Sequence, residues 1–109
     1  MTNPLAAGSL DGLRALVTGS SRGIGADTAA YFAEAGASVV INFRNKEARA
    51  TKLVDKIVAA GGSAIAIGAD LTDPASVAGM FNTIESEWGG LDILIMNASG
   101  SMESGMVED

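Results

Sequence analysis

Short apolar blocks alternate along this chain with longer stretches in which apolar residues recur every three or four positions. Arg14 to Thr18 (RALVT), Ser38 to Phe43 (SVVINF), Ser63 to Ala69 (SAIAIGA) and Asp92 to Met96 (DILIM) are near-continuous apolar runs. That is the pattern of strands covered on both faces. Between the first two, Ile24, Thr28, Tyr31, Phe32 and Ala35 keep helical spacing, which predicts a helix over 24–35 with those side chains inward. Ala50, Leu53, Val54, Ile57 and Val58 predict a second helix over 46–60, and Val77, Met80, Phe81, Ile84 and Trp88 a third. Gly36, Gly61-Gly62 and Gly89-Gly90 follow the three helices as stops, since glycine reaches the left-handed backbone of a helix end without strain. Asp73-Pro74 starts the third: Asp caps, and proline's missing N–H is not needed in the first turn. Residues 1–9 read as a flexible tail and Asp11-Gly12 as a turn.

The order is thus β-α-β-α-β-α-β, with strands of four to seven residues and no repeat beyond that alternation. Strands alternating with helices of this length imply parallel pairing through right-handed crossovers. The predicted fold class is α/β, a Rossmann-type doubly wound parallel sheet in strand order 3-2-1-4, of the dinucleotide-binding kind. In that order DILIM is an edge strand, although its composition suits an interior one, and an apolar edge is an aggregation hazard. Residues 97–109, rich in Ser, Gly, Glu and Met, stand where a further crossover should begin. The expectation is that 10–109 is the N-terminal part of a single dinucleotide-binding domain, truncated and incomplete. The alternative is an edge covered by a partner chain or by the tail.

Composition narrows the chemistry. The 109 residues include no Cys and no His, which removes disulfides, thiolate zinc sites and histidine-based catalysis. Thirteen Asp and Glu against seven Lys and Arg give a net charge of −6, which argues against nucleic acid as a partner. No apolar run approaches the ~20 residues that span a bilayer, and the start lacks the pattern of a signal peptide. A soluble, cytoplasmic setting without membrane contact is expected. Fourteen glycines, nearly twice the usual share of ~7%, fall at the ends of the periodic segments.

The chemistry-bearing motif is Thr18-Gly19-Ser20-Ser21-Arg22-Gly23-Ile24-Gly25. It leaves the first strand and opens the first helix, where backbone N–H groups and the positive helix end suit a pyrophosphate. Glycine is needed there because a Cβ would block the turn or the approach of the phosphate. The bland alternative is a plain tight turn.

With its TGxxxGxG spacing, this loop resembles that of the short-chain dehydrogenase/reductase family. The resemblance covers Leu10 to Gly100. Asp70-Leu71 after the third strand, Asp73-Pro74 at the third helix and LDILIMNAS (Leu91 to Ser99) extend it, and within the family the chain is similar to 3-oxoacyl-carrier-protein reductases. Met96 and Ser99 depart from the family's NNAG turn. The resemblance implies the cofactor-binding part of an oxidoreductase that moves a hydride between a nicotinamide and a small-molecule carbonyl or secondary alcohol. It implies that Gly19, Ser21, Arg22, Gly23, Ile24 and Gly25 hold the phosphates, that Asp70 and Leu71 hold adenine, and that Asn97 and Ala98 lie beside the nicotinamide ribose. Asp70 has the alternative of capping its own turn, and the Asn97 side chain that of tying neighbouring strands together.

NAD-binding folds carry an acidic residue at the end of the second strand for the ribose 2′-OH. Here the residue is Phe43, followed by Arg44. Arg44 with Arg22 would flank a 2′-phosphate, which predicts NADP(H) over NAD(H). The alternatives are a solvated strand-end charge for Arg44 and an ion pair for Arg22. The family's catalytic Ser and Tyr-x-x-x-Lys have no counterpart: the one tyrosine, Tyr31, is followed four residues on by Ala35. No catalytic residue and no metal site are assigned. The remaining readings are a non-catalytic nucleotide-binding module and a half-domain that assembles with another chain. The resemblance implies homo-oligomers for full-length members. Glu85, Glu87 and Asp92 read as solvated surface.

Overall fold

The computed structural model describes residues 5–20 and 23–97. Seven elements follow the predicted order: β1 (Arg14–Val17), α1 (Gly23–Glu34), β2 (Ser38–Phe43), α2 (Glu47–Ala59), β3 (Ser63–Gly68), α3 (Pro74–Trp88) and β4 (Ile93–Ile95). The strands form one sheet in the order β3-β2-β1-β4, and each pairing is parallel. Val17 lies between Ile41 and Ile95 in register. The ends of β1, β2 and β4 therefore share one rim of the sheet.

The apolar runs are continuous because the two faces each hold a core. Ala15, Val17, Val39, Ile41 and Ala64 face one side with Ala29 and Ala33 of α1 and Ala50 and Ile57 of α2. Leu16 and Val40 face the other with Met80 and Ile84 of α3. The alternation along β1 and β2 is the period-two geometry of a strand.

Helix ends follow the predicted chemistry. Asp73 caps α3 by accepting the Ala75 N–H, Pro74 fills the first turn, and Gly89 closes it at φ 77°. Gly36 at φ 107° follows α1, and a Cβ there would collide with the Asp11 carboxylate. Leu10, just past the predicted tail, donates its N–H to the Ala35 carbonyl at 2.8 Å and packs against the first core.

Four expectations need correction. The buried positions within α1 are Gly25, Ala29 and Ala33, one position on from Ile24, Thr28 and Phe32; Phe32 still packs partly buried against the first core and Ala35 is buried as predicted, while Ile24 is 78% exposed. One residue is about 100° around a helix, and the turn buries the small residues because they let α1 lie close to the sheet. Val58 is also exposed rather than inward. β4 has three residues, not five, and Leu94 at its centre is 47% exposed. Asp92 is not plain solvated surface. Its Oδ2 accepts the backbone N–H and the Nε of Arg14, both at 2.9 Å, and its Oδ1 accepts Nη2 at 3.2 Å. Arg14 Nη1 donates to the Trp88 carbonyl at 2.9 Å, so this clamp ties the start of β1 to the approach to β4. The pairing holds the Asp92 carboxyl below its ordinary range and raises the Arg14 guanidinium, the hydrogen bond between them being the largest cause for each.

Candidate functional site

The glycine loop leaves β1 at the rim where β1, β2 and β4 end. Gly19 and Gly23 both have positive φ, 59° and 64°, which an L side chain adopts only with strain. Gly25 has a different task. A Cβ there would fall on the Gly19 carbonyl oxygen and stand 2.6 Å from Asn97 Nδ2 and 3.0 Å from Ser20 Cα. The glycine therefore admits the first turn of α1 against the loop and the end of β4. At Gly23 an added Cβ would meet nothing within 4 Å among the described residues. Ile24 stands exposed in that same first turn.

The loop is tied down from both sides. Thr18 Oγ1 accepts the Asn97 N–H at 2.8 Å and donates to the Ile95 carbonyl at 3.4 Å, and Asn97 Nδ2 donates to the Gly19 carbonyl at 3.2 Å. The Asn97 side chain thus does tie neighbouring segments together, as the structural alternative expects. From β2, Asn42 Oδ1 accepts the Gly19 N–H at 3.0 Å, and the Asn42 N–H donates to Ser20 Oγ at 2.9 Å. The Gly19 N–H is thus taken up inside the protein, and at φ 59° Gly19 supplies a left-handed turn.

At the far end of the rim, Phe43 closes β2 with its ring over Gly68, where a Cβ would come within 2.9 Å of two ring carbons. Arg44 follows, exposed, with Nε 4.0 Å from Asp70 Oδ1. Asp70 Oδ1 also accepts the Thr72 N–H at 2.9 Å and the Thr72 hydroxyl at 2.6 Å. These two bonds, the hydroxyl's foremost, hold the Asp70 carboxyl below its ordinary range, with a smaller contribution from the charge of Arg44. Asp70 does cap its own turn. Its backbone N–H is held by Ser76 Oγ at 2.8 Å, and Leu71 packs partly buried beside the α3 core. Ser21, Arg22 and Ala98 lie outside the described residues.

Gly19, Gly23, Ile24, Gly25 and Asn97 are thus grouped at one part of the rim, and Arg44 and Asp70 are paired at another, with Leu71 following. Sequence reasoning missed Asn42, Thr18 and Ser20 as the residues that shape the loop. The available signal was Asn42, a polar residue between Ile41 and Phe43 inside an apolar strand.

A parallel sheet with a glycine-rich turn leading from its first strand into a helix defines a Rossmann-like nucleotide-binding unit. The comparisons with known proteins sharpen this. The family model "short chain dehydrogenase" matches residues 14–109; the chain belongs to that family, an oxidoreductase family. It is 44% identical over 105 residues to elsinochrome reductase 1 of Elsinoe fawcettii, covering 96% of this chain and 39% of the relative. A short chain dehydrogenase from Burkholderia cenocepacia in complex with NADP matches at 47% identity and a TM-score of 0.77, over 84% of this chain and 37% of the other. The angucycline C-6 ketoreductase LanV with bound NADP matches at 34% identity and a TM-score of 0.76, over 88% and 40%. The chain spans about two fifths of the length of the relatives it matches.

Proposed function

We propose that this chain is the cofactor-binding part of an NADP(H)-dependent oxidoreductase acting in the cytoplasm on a small-molecule carbonyl or secondary alcohol. The observation that carries the reading is the start of α1, where Gly23 takes a left-handed turn at a helix N-terminus and an added Cβ would meet none of the described residues within 4 Å. In this reading a pyrophosphate takes that place, and a side chain at Gly23 would intrude on it. The bound nicotinamide would supply the hydride; the protein supplies binding and orientation.

Roles follow from position. The loop from Ser21 to Gly25, with Arg22, holds the pyrophosphate, and Gly19 sets the turn that leads into it. Ile24 offers an exposed apolar surface to the ligand. Arg44 reads the 2′-phosphate from just past the end of β2, next to Phe43, the position at which NAD-binding folds place a carboxylate. Asp70 and Leu71 bound the adenine, and Asn97 and Ala98 the nicotinamide-side ribose. In this reading Arg44 exchanges its 4.0 Å approach to Asp70 for shorter, charge-assisted bonds to the phosphate. The NADP bound to the Burkholderia enzyme and to LanV supports the cofactor assignment.

Titrating NADPH and NADH into the wild type and Arg44→Asp tests it. The wild type should favour NADPH, and the variant should lose ~10–100-fold of that preference, as expected for losing a hydrogen bond to a charged group and adding repulsion. The same discrimination in both proteins overturns the assignment. A second reading has one observation in its favour. Leu94 at 47% and Met96 at 71% exposure beside the β4 edge suit a sheet that further polypeptide covers, from this protein or a partner.

A further inference from the structure

Asn42 is 1% exposed, and its strand neighbours Ile41 and Phe43 are apolar. A buried amide among such residues is retained only where its hydrogen bonds are met. Here both ends are used. Oδ1 accepts the Gly19 N–H at 3.0 Å, while Nδ2 donates to the Ile67 carbonyl at 3.4 Å and lies 3.7 Å from Met80 Sδ. Exchanging the two ends would set donor against donor and oxygen against oxygen, so the neighbours fix the orientation of the amide. Its backbone holds the loop again, donating to Ser20 Oγ at 2.9 Å and accepting the Ser20 N–H at 3.2 Å. One residue of β2 thus makes three of its bonds to the Gly19-Ser20 turn and anchors the opposite end on β3 and α3.

We propose that Asn42 is a positioning residue for a pyrophosphate-bearing nucleotide. It touches no ligand; it fixes the turn through which the loop reaches Gly23, so the cradle is formed before the ligand arrives. The inference rests on the phosphate-binding reading of the loop and deepens it. An apolar residue at 42 would fill the same core space, but would leave the Gly19 N–H buried without its acceptor. The turn could then satisfy that N–H only by moving. The cost falls on the pyrophosphate end, and the Arg44 end of the rim keeps its geometry.

The test uses the protein at its natural length, with Asn42→Leu, Ser20→Ala and, as a control, Ile57→Val in the opposite core. NADPH affinity is read from the fluorescence of the bound nicotinamide. Adenosine 2′-monophosphate, which carries no pyrophosphate, serves as a competing probe of the Arg44 end alone. Asn42→Leu should weaken NADPH ~10–100-fold, the range of a lost bond plus an unsatisfied group, and leave the competing probe within about twofold. Ser20→Ala should weaken NADPH by ~3–10-fold and likewise spare the probe. Ile57→Val should lower the melting temperature without changing either affinity.

Folded Asn42→Leu with wild-type NADPH affinity overturns the proposal. So does a parallel loss for NADPH and the probe, which would mean general loosening. Should Asn42→Leu fail to fold, Ser20→Ala decides by the same two criteria. A wild type that binds no dinucleotide overturns the functional reading itself and this inference with it. A wild type that binds while the variants are insensitive overturns the inference alone.

Discussion

The two glycines that flank Ile24 do different work, and alanine at each should separate stability from binding. At Gly25 the added methyl meets the Gly19 carbonyl oxygen, Asn97 Nδ2 at 2.6 Å and Ser20 Cα at 3.0 Å. Two of these three neighbours are backbone atoms, which yield only if the loop and helix move apart. Overpacking of this kind costs about 1–3 kcal/mol. The separation also breaks the 3.2 Å bond from Asn97 to the Gly19 carbonyl, for a further loss of about 0.5–1.5 kcal/mol. Gly25→Ala should therefore destabilise by about 2–4 kcal/mol. At Gly23 the methyl meets none of the described residues within 4 Å, and the left-handed backbone at φ 64° opposes it, at about 1–2 kcal/mol. That methyl does enter the space assigned to the pyrophosphate. The order should accordingly reverse between assays: Gly25→Ala loses more in denaturant unfolding, and Gly23→Ala loses more in NADPH affinity, by at least about tenfold. Gly25→Ala within about 0.5 kcal/mol of wild type, the range of an ordinary surface change, would refute the close-approach argument. Gly23→Ala with unchanged affinity would refute the cradle.

The Arg14–Asp92 clamp makes an acid prediction. Asp92 is depressed in the folded state, so its contribution is present above the ordinary carboxylate range and is lost as pH falls through the lowered folded value. Asp92→Asn should be less stable than wild type by a constant margin above pH ~4, the gap closing at lower pH; a gap independent of pH down to 2 would sink the assignment. Asp70 is depressed by Thr72 and follows the same sign, so Thr72→Val should shift the Asp70 carboxyl upward in an NMR titration. Of the seven Lys and Arg, five (Arg44, Lys46, Arg49, Lys52 and Lys56) fall within 44–56 on a chain of net charge −6. Such a local positive field steers anions, so Lys46→Gln with Arg49→Gln should slow NADPH association in stopped flow at low salt. The difference should vanish near 0.5 M salt, as the screening length shrinks to a few ångströms.

What the sequence made legible follows from how locally each feature is determined. Strand order, helix stops and the α3 cap depend on runs, glycines and the Asp73-Pro74 pair, all of which act within a few residues. The buried face of α1 was legible only toward its end, at Phe32 and Ala35, because periodicity rewards large apolar side chains, whereas the contact at its start is decided by how near the helix must come. Gly25, Ala29 and Ala33 are inward because a larger residue would hold α1 off the sheet, and Ile24 is left outside although it is the most hydrophobic residue of its turn. Asn42 was opaque for a related reason. Its partners Gly19, Ser20, Ile67 and Met80 are 22 to 38 residues away, and only the parallel register of β1, β2 and β3 and the packing of α3 on the sheet bring them together. The glycine motif predicts a place for a phosphate, but not which side chains hold the motif in shape. Those side chains come from strand ends that are neighbours in the sheet and distant in the chain, and in this protein that role falls to Thr18, Asn42 and Asn97.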